Sequence, residues 1–235
     1  MPKRRIEFIS GEIYHVMVRG IEKRDIFMDD QDYWRGIFSL YEFNNSRSVV
    51  MRGRRENRKK YLSEAVEAGR SPASTSFREE FVSVLAFVFM PNHIHLLLRQ
   101  EKEGGVSGFL QKLNTGYVKY FNEKYKRVGP LFQGRFKAMH IENNEYLKTI
   151  FVYIHTNPLA IIEPGWKEKG ISDVKRSKEF LKEYRWSSYL DYLGIYNFPS
   201  VTQRDLLHNI MGGKEGIKDF VDTWIGYKKE VNNKS

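Results

Sequence analysis

Two histidines one residue apart, His93 and His95, sit inside the apolar run Phe89-Met90-Pro91-Asn92-His93-Ile94-His95-Leu96-Leu97-Leu98. Side chains two apart on a β-strand share a face, so both imidazoles can grip one divalent ion while Ile94 packs on the other side. Paired histidines on a strand can equally be ordinary, partly buried rings with hydrogen-bonded nitrogens. Two ligands also do not complete a metal site. The spacing therefore asks for a third ligand and a reactive group from elsewhere in the chain.

Residues 145–157 supply candidates for both. Leu147, Ile150, Phe151 and Ile154 recur at i, i+3, i+4 and i+7, which predicts a helix packing that stripe on a sheet. At about 100° per residue, Tyr146, Tyr153 and Asn157 gather on one flank of the stripe and His155 projects to the other. A carboxamide oxygen is a hard ligand suited to Mg²⁺ or Mn²⁺, so His93, His95 and Asn157 form a candidate three-point site with positions open for a phosphate. His155 is a rival third ligand if Pro158 distorts the last turn and swings it inward. Tyr153 would stand beside this site. A phenol, with an ordinary pKa of about 10, attacks a phosphodiester only where something favours the phenolate or neutralises the phosphate, and a divalent ion does the second. The chain has 14 tyrosines, and Tyr117, Tyr120 and Tyr125, in a basic helical stretch, compete for the role. Any one tyrosine is more often a packing residue than a nucleophile.

The elements that must position these groups follow from periodicity and punctuation. Residues 13–19 are β-branched and aromatic and end at Gly20, which predicts a strand leaving into the basic loop Lys23-Arg24. Asp29-Asp30 can cap a helix carrying Tyr33, Trp34, Ile37, Phe38 and Tyr41. Residues 81–90 and 93–99 read as adjacent strands joined at Pro91-Asn92. Ser107 would cap a helix with Leu110, Leu113, Tyr117, Tyr120 and Phe121 on one side, and residues 135–141 can form another strand. Asn143 or Asn144 would cap the helix that Pro158 stops. The succession strand, helix, strand, strand, helix, strand predicts an α+β, ferredoxin-like (split β-α-β) antiparallel sheet with helices on one face, plus a C-terminal mostly helical extension. The expected division is a catalytic domain at 1–165 and the extension at 166–235. Within the first, residues 46–78 read as a basic, mobile insertion with one short helix at 61–68.

Composition narrows the partners. The 235 residues carry 39 Lys and Arg against 29 Asp and Glu, a formal net charge of +10, which favours polyanions through counterion release. Nucleic acid is the expected partner. Arg19, Lys23, Arg24, Lys119, Lys126, Arg127, Arg135 and Lys137, interleaved with Tyr, Phe and Asn, form the mixture that holds a single strand by charge and stacking. The chain has no cysteine, which excludes disulfides and thiolate metal sites. The charged start lacks an apolar signal core, and the longest unbroken apolar run is 84–90, so a cytoplasmic protein without a membrane segment is expected.

Six blocks in order then carry a resemblance. They are His15-Val16-Met17-Val18-Arg19-Gly20, Arg24-Asp25-Ile26-Phe27, Met90 to Leu98, Tyr117-Val118-Lys119-Tyr120-Phe121-Asn122, Gly134-Arg135-Phe136-Lys137 and Tyr153-Ile154-His155-Thr156-Asn157-Pro158. Together they resemble the single-tyrosine HUH transposases of the insertion sequence 200 type, and most closely the REP-associated tyrosine transposases, which also end in a segment like Trp186-Ser187-Ser188-Tyr189. The resemblance implies metal-dependent cleavage and rejoining of single-stranded DNA, at hairpin or REP-like sequences, through a 5′-phosphotyrosine and a free 3′-hydroxyl. By position it implies Tyr153 as nucleophile, His93 and His95 as metal ligands, and Asn157 as third ligand in place of a Gln found in related enzymes. Monomeric and dimeric relatives both exist, so monomer and homodimer stay open. A different class also stays open: a ferredoxin-like sheet that binds nucleic acid without cutting it, as RRM-type sheets do, or a domesticated relative without turnover.

Overall fold

The computed structural model describes residues 6–46 and 79–232. Apart from Ser46, the insertion expected at 46–78 and its short helix lie outside the described residues. The β-branched and aromatic run Ile13–Arg19 forms β1, Val82–Met90 and His93–Gln100 form the hairpin β2–β3 around Pro91-Asn92, and Lys137–Ile141 forms β4. The strands make one four-stranded sheet in the order β2-β3-β1-β4, with every neighbour antiparallel. Helix α1 (Asp30–Phe43) connects β1 to β2, and α2 (Gly105–Lys124) connects β3 to β4. This is the ferredoxin-like split β-α-β arrangement.

The period-two alternation of the strands divides the core. Tyr14, Val16, Val18, Phe87, Phe89, Ile94, Leu96 and Leu98 pack with Ile37 and Leu40 of α1 and Phe109, Leu110 and Leu113 of α2. Val88, Met90 and Leu97 face the other way, onto Leu147, Ile150, Phe151 and Ile154 of α3 (Asn144–Thr156). Consecutive Leu96, Leu97 and Leu98 are all 0% exposed, so the sheet is covered on both faces. The two crossover helices do lie on one face, as expected of this fold, while α3 and the C-terminal extension cover the opposite one.

A short α4 (Leu159–Ile162) follows α3, and the extension from 166 on holds α5 (Trp166–Lys169), α6 (Val174–Glu183), α7 (Tyr189–Tyr192), α8 (Asp205–Met211) and α9 (Gly213–Asn232). Its Trp166, Leu181, Tyr192, Leu207, Ile217 and Ile225 share the α3 core. The segment before α7 also seals the outer edge of the sheet: Phe89 N–H donates to Trp186 O at 2.9 Å and Ser188 N–H to Phe87 O at 3.0 Å. A covered edge cannot pair with another chain.

Helix starts follow side-chain chemistry. Asp29 Oδ1 accepts from Asp32 N–H at 3.1 Å and Asn143 Oδ1 from Tyr146 N–H at 2.8 Å, the capping expected of both residues. Helix α2 starts at Gly105, ahead of the Ser107 cap expected from sequence. Gln100 at the end of β3 reaches back, so that its Oε1 accepts from Val106 N–H at 3.1 Å. A Cβ at Gly105 would lie 2.2 Å from Phe81 O, which the start of this helix crosses closely. Strand β4 likewise begins at Lys137, two residues later than expected, because Gly134 turns left-handed (φ 65°) just before it.

His155 is the polar pin of the second layer. It is fully buried, with Nδ1 2.9 Å from Phe151 O and Nε2 2.8 Å from Ser188 Oγ, and it packs against Phe151 and Tyr192. Burial pushes it from the ordinary 6.5 down to about 3. The unfolded chain therefore binds this proton across a pH range where the folded chain does not, and stability present above about pH 6.5 is lost as the pH falls toward 3. Denaturant titrations should find a slope of about 1.4 kcal/mol per pH unit from this residue. His155→Gln should remove that share of the slope, and an unchanged slope in the variant would contradict the assignment.

Candidate active site

The residues of β1 and β3 that face α3 include His15, Met17 and Arg19, which pair across the ladder with Leu97, His95 and His93. The β1–β3 ladder thus brings Arg19 beside His93, and His15 beside His95. His15 Nε2 lies 2.9 Å from His95 Nδ1 with the rings stacked at 5.0 Å, and His93 stands edge-on to His95 at 4.9 Å. His93 Nδ1 is 2.5 Å from Asn92 Oδ1, an acceptor, so this nitrogen carries the proton. Each histidine of the pair is therefore engaged through Nδ1, and the carboxamide of Asn157 hydrogen-bonds the His93 ring. Neighbours that fix one ring nitrogen in this way orient a histidine for ligation by the other.

Electrostatics keep these rings uncharged. Burial lowers His15 and His93 to about 4, and burial followed by the neighbouring imidazoles, Lys167 and Arg19 takes His95 well below its ordinary value. Near pH 7 all three are neutral, the form that ligates metal. Among the described residues, no three His, Cys, Asp or Glu side chains converge on a common point. The carboxamide beside His93 is that of Asn157, which is 1% exposed.

Tyr153 projects from the last turn of α3 over this group. Its ring stands edge-on to His95 at 5.4 Å and to His15 at 6.0 Å, all within one chain. Lys167 Nζ donates to Tyr153 Oη at 3.1 Å and lies 4.5 Å above the ring centre. Alongside, Met17, Arg19, Gln133, Arg135 and Lys137 line a groove of about 130 Å³. The buried Nε of Arg19 has no hydrogen-bond partner among the described residues. An unpaired cationic donor of that kind is suited to an anion.

The rim is formed by the loop after β1, tied to the hairpin turn. Gly20 N–H donates to Asn92 O at 2.9 Å, Ile26 N–H to Pro91 O at 2.7 Å, and Asn92 Nδ2 to Lys23 O at 3.1 Å. Glu22 and Lys23 are held at φ 54° and 61°, a left-handed conformation that costs energy for non-glycine residues.

Residues 49–157 match the family model described as transposase IS200 like. Over that span, somewhat under half of its length, the chain is similar to the IS200-like transposases. The span contains His93, His95, Tyr153 and Asn157, whereas His15 and Arg19 precede it and Lys167 follows it. Among solved structures, the chain is similar to one described as the REP-associated tyrosine transposase bound to a REP hairpin, at 15% identity over 84% of this chain and 90% of that one, with a TM-score of 0.49. It is also similar to a bacterial tRNA(His) guanylyltransferase (Thg1)-like protein in complex with GTP (13% identity, 67% and 69% covered, TM-score 0.34) and with ATP (12%, 76% and 72%, TM-score 0.36). No curated protein matches the chain.

The sequence-predicted residues separate into two groups. His93, His95, Asn157, Tyr153 and Arg19 come together, Arg135 and Lys137 flank them, and Lys23 and Arg24 lie on the rim loop. His155 does not join them: both of its nitrogens are spent inside the core on Phe151 and Ser188, so it is no third ligand. Lys119 lies on the exposed side of α2, and Lys126 and Arg127 follow that helix, on the layer across the sheet from the imidazoles. Arg127 Nη1 donates to Asn122 Oδ1 at 3.2 Å. Of the competing tyrosines, Tyr117 donates to Ile26 O, and Tyr120 and Tyr125 donate to buried Asp32 at 2.9 and 2.7 Å, behind the sheet.

Sequence reasoning missed His15, Asn92 and Lys167 as parts of the site. His15 shares strand parity with Arg19, a signal that becomes usable only once β1 is known to pair with β3. Asn92 looked like a turn residue, and Lys167 carried no local signal. Replacing Asn92 with Leu removes the acceptor at His93 Nδ1 and the tie to Lys23, at an expected cost of about 1 kcal/mol. Imidazole ¹⁵N spectra of Asn92→Leu should report loss of the single His93 tautomer, and a retained tautomer would remove Asn92 from this role.

Proposed function

We propose that this chain cuts and rejoins single-stranded DNA, with Tyr153 attacking a backbone phosphate to give a 5′-phosphotyrosine and a free 3′-hydroxyl. The observation that carries the reading is the phenol of Tyr153 standing edge-on to His95 at 5.4 Å, beside a groove lined with Arg19, Arg135 and Lys137. In the attack, an O–P bond forms at Tyr153 Oη and the bond to the 3′ oxygen breaks. The phenol proton leaves to solvent, and the departing oxygen takes one back. The nearness of phenol and imidazoles of one chain supports attack in cis.

The donor set fits a hard divalent ion, Mg²⁺ or Mn²⁺. Two neutral imidazoles oriented through Nδ1 and one carboxamide would hold it, and fewer protein ligands than an octahedral ion needs leaves positions for phosphate oxygens or water. Such an ion supplies Lewis-acid neutralisation of the phosphate when bound. Arg19 and Lys137 hold the strand by its phosphates, and Lys23 and Arg24 meet it at the rim. Hairpin-bearing strands are the proposed substrates.

A sheet that only binds nucleic acid is the weaker reading. RRM-type recognition stacks bases on an open sheet face. Here α1 and α2 cover one face, and α3 with the extension covers the other.

Incubated with labelled hairpin-bearing single strands and Mn²⁺, the protein should form a covalent adduct stable to denaturation and to proteolytic trimming down to a phosphotyrosyl peptide. Tyr153→Phe should abolish the adduct while leaving strand affinity within about threefold, and adduct persisting in that variant would exclude Tyr153. His93→Ala should weaken Mn²⁺ binding, measured calorimetrically without DNA, by about tenfold or more. Unchanged Mn²⁺ affinity would exclude His93 as a ligand.

A further inference from the structure

The extension contributes one group to the site that neither the family span nor the sequence pattern assigns. Short helix α5 begins after Gly165, and its first residue, Trp166, is 1% exposed and meets Trp224 of α9 edge-on at 5.0 Å. Lys228 Nζ of α9 donates to Lys167 O at 3.3 Å, and Ile171 N–H donates to Lys228 O at 3.2 Å. The backbone of α5 is thus fixed from behind by the C-terminal helix. From this anchored position Lys167 reaches over α3 to Tyr153, with Nζ 3.1 Å from Oη and 4.5 Å above the ring. Its charge is also felt at His93 and His95, both of which it helps keep neutral.

We propose that Lys167 is a catalytic residue of the cleavage and rejoining reaction, its ammonium group stabilising the negative charge that Tyr153 Oη carries as it attacks the phosphate and again as it departs. The proposal rests on the reading of Tyr153 as nucleophile given above. An ammonium cannot take the phenol proton, so that proton goes to solvent and Lys167 donates a hydrogen bond to the oxygen left behind. In the reverse step, the 3′-hydroxyl loses its proton to solvent, its oxygen bonds to phosphorus, and the Tyr153 Oη–P bond breaks. The departing phenolate is held by the same N–H. One donor thus serves both directions, as a reversible strand exchange requires, because the group stabilising the nucleophile's charge going forward must stabilise the leaving group's charge going back. The C-terminal extension thereby acquires a chemical role, since α9 holds α5 and α5 delivers the cation.

The test compares Lys167→Met, which keeps the alkyl stem over the Tyr153 ring, with Lys167→Arg, which keeps the charge. Adduct formation in Lys167→Met should slow at least about tenfold, with strand affinity within threefold of the parent. Lys167→Arg should restore part of the rate. Ligation of a preformed adduct with a 3′-hydroxyl strand should slow in parallel. In the free protein at neutral pH, the Tyr153 ¹³Cζ resonance, identified by its loss in Tyr153→Phe, should move in Lys167→Met, because the hydrogen bond from Lys167 Nζ to its oxygen is gone. Full adduct rate in Lys167→Met, or a loss confined to strand affinity, would overturn the proposal. If the parent protein forms no adduct, the nucleophile reading fails. An unmoved Tyr153 ¹³Cζ resonance in Lys167→Met would then dispose of the Lys167–Tyr153 interaction separately.

Discussion

The packing of α3 on the sheet is the constraint from which the site follows. Leu147, Ile150, Phe151 and Ile154 are between 0 and 7% exposed, and burying an aliphatic or aromatic side chain of that size contributes about 1.5–3 kcal/mol. Four such contributions fix the rotation of the helix about its axis. A slip of one residue would turn it by about 100°, carrying Tyr153 away from His95 and bringing a buried neighbour into its place. The hydrophobic stripe therefore aims the phenol, although none of its members has any chemistry of its own.

Sheet pairing supplies the other half of the arrangement. Because β1 and β3 run antiparallel with Arg19 opposite His93 and Met17 opposite His95, the cation-bearing end of one strand meets the histidine-bearing start of the other. Burial keeps the imidazoles neutral, and Arg19 and Lys167 add positive charge that reinforces it. The outcome is a group of uncharged imidazoles inside a positive surround, a combination suited to an anion. Second-layer contacts complete it: Asn92 and His15 hold the two histidines by Nδ1, and α9, through Trp224 and Lys228, holds the helix that carries Lys167.

Much of this was readable beforehand, because the signals were local. Strand alternation in 13–19 and 93–99, the Pro91-Asn92 turn, the caps at Asp29 and Asn143 and the heptad-like stripe of α3 each depend on residues a few positions apart. The flank shared by Tyr153 and Asn157 belongs to the same class. Helix starts set by distant groups were not readable. Gln100 capping α2 from the end of a strand moved that start ahead of Ser107, and no pattern within the helix announces it.

Residue types and periodicity alone determined the ferredoxin-like order of elements, the His93 and His95 pair on one strand face, and the pairing of Tyr153 with Asn157 along one helix flank. They could do so because strand parity and helical pitch are properties of the backbone itself. The nearness of Tyr153 to His95, the removal of His155 into the core, the gathering of His15 and Lys167 beside them, and the separation of Lys119, Lys126 and Arg127 onto the far layer were decided by folding. Each depends on which element packs on which face of the sheet, a matter of contacts between residues remote in the chain that no local spacing encodes.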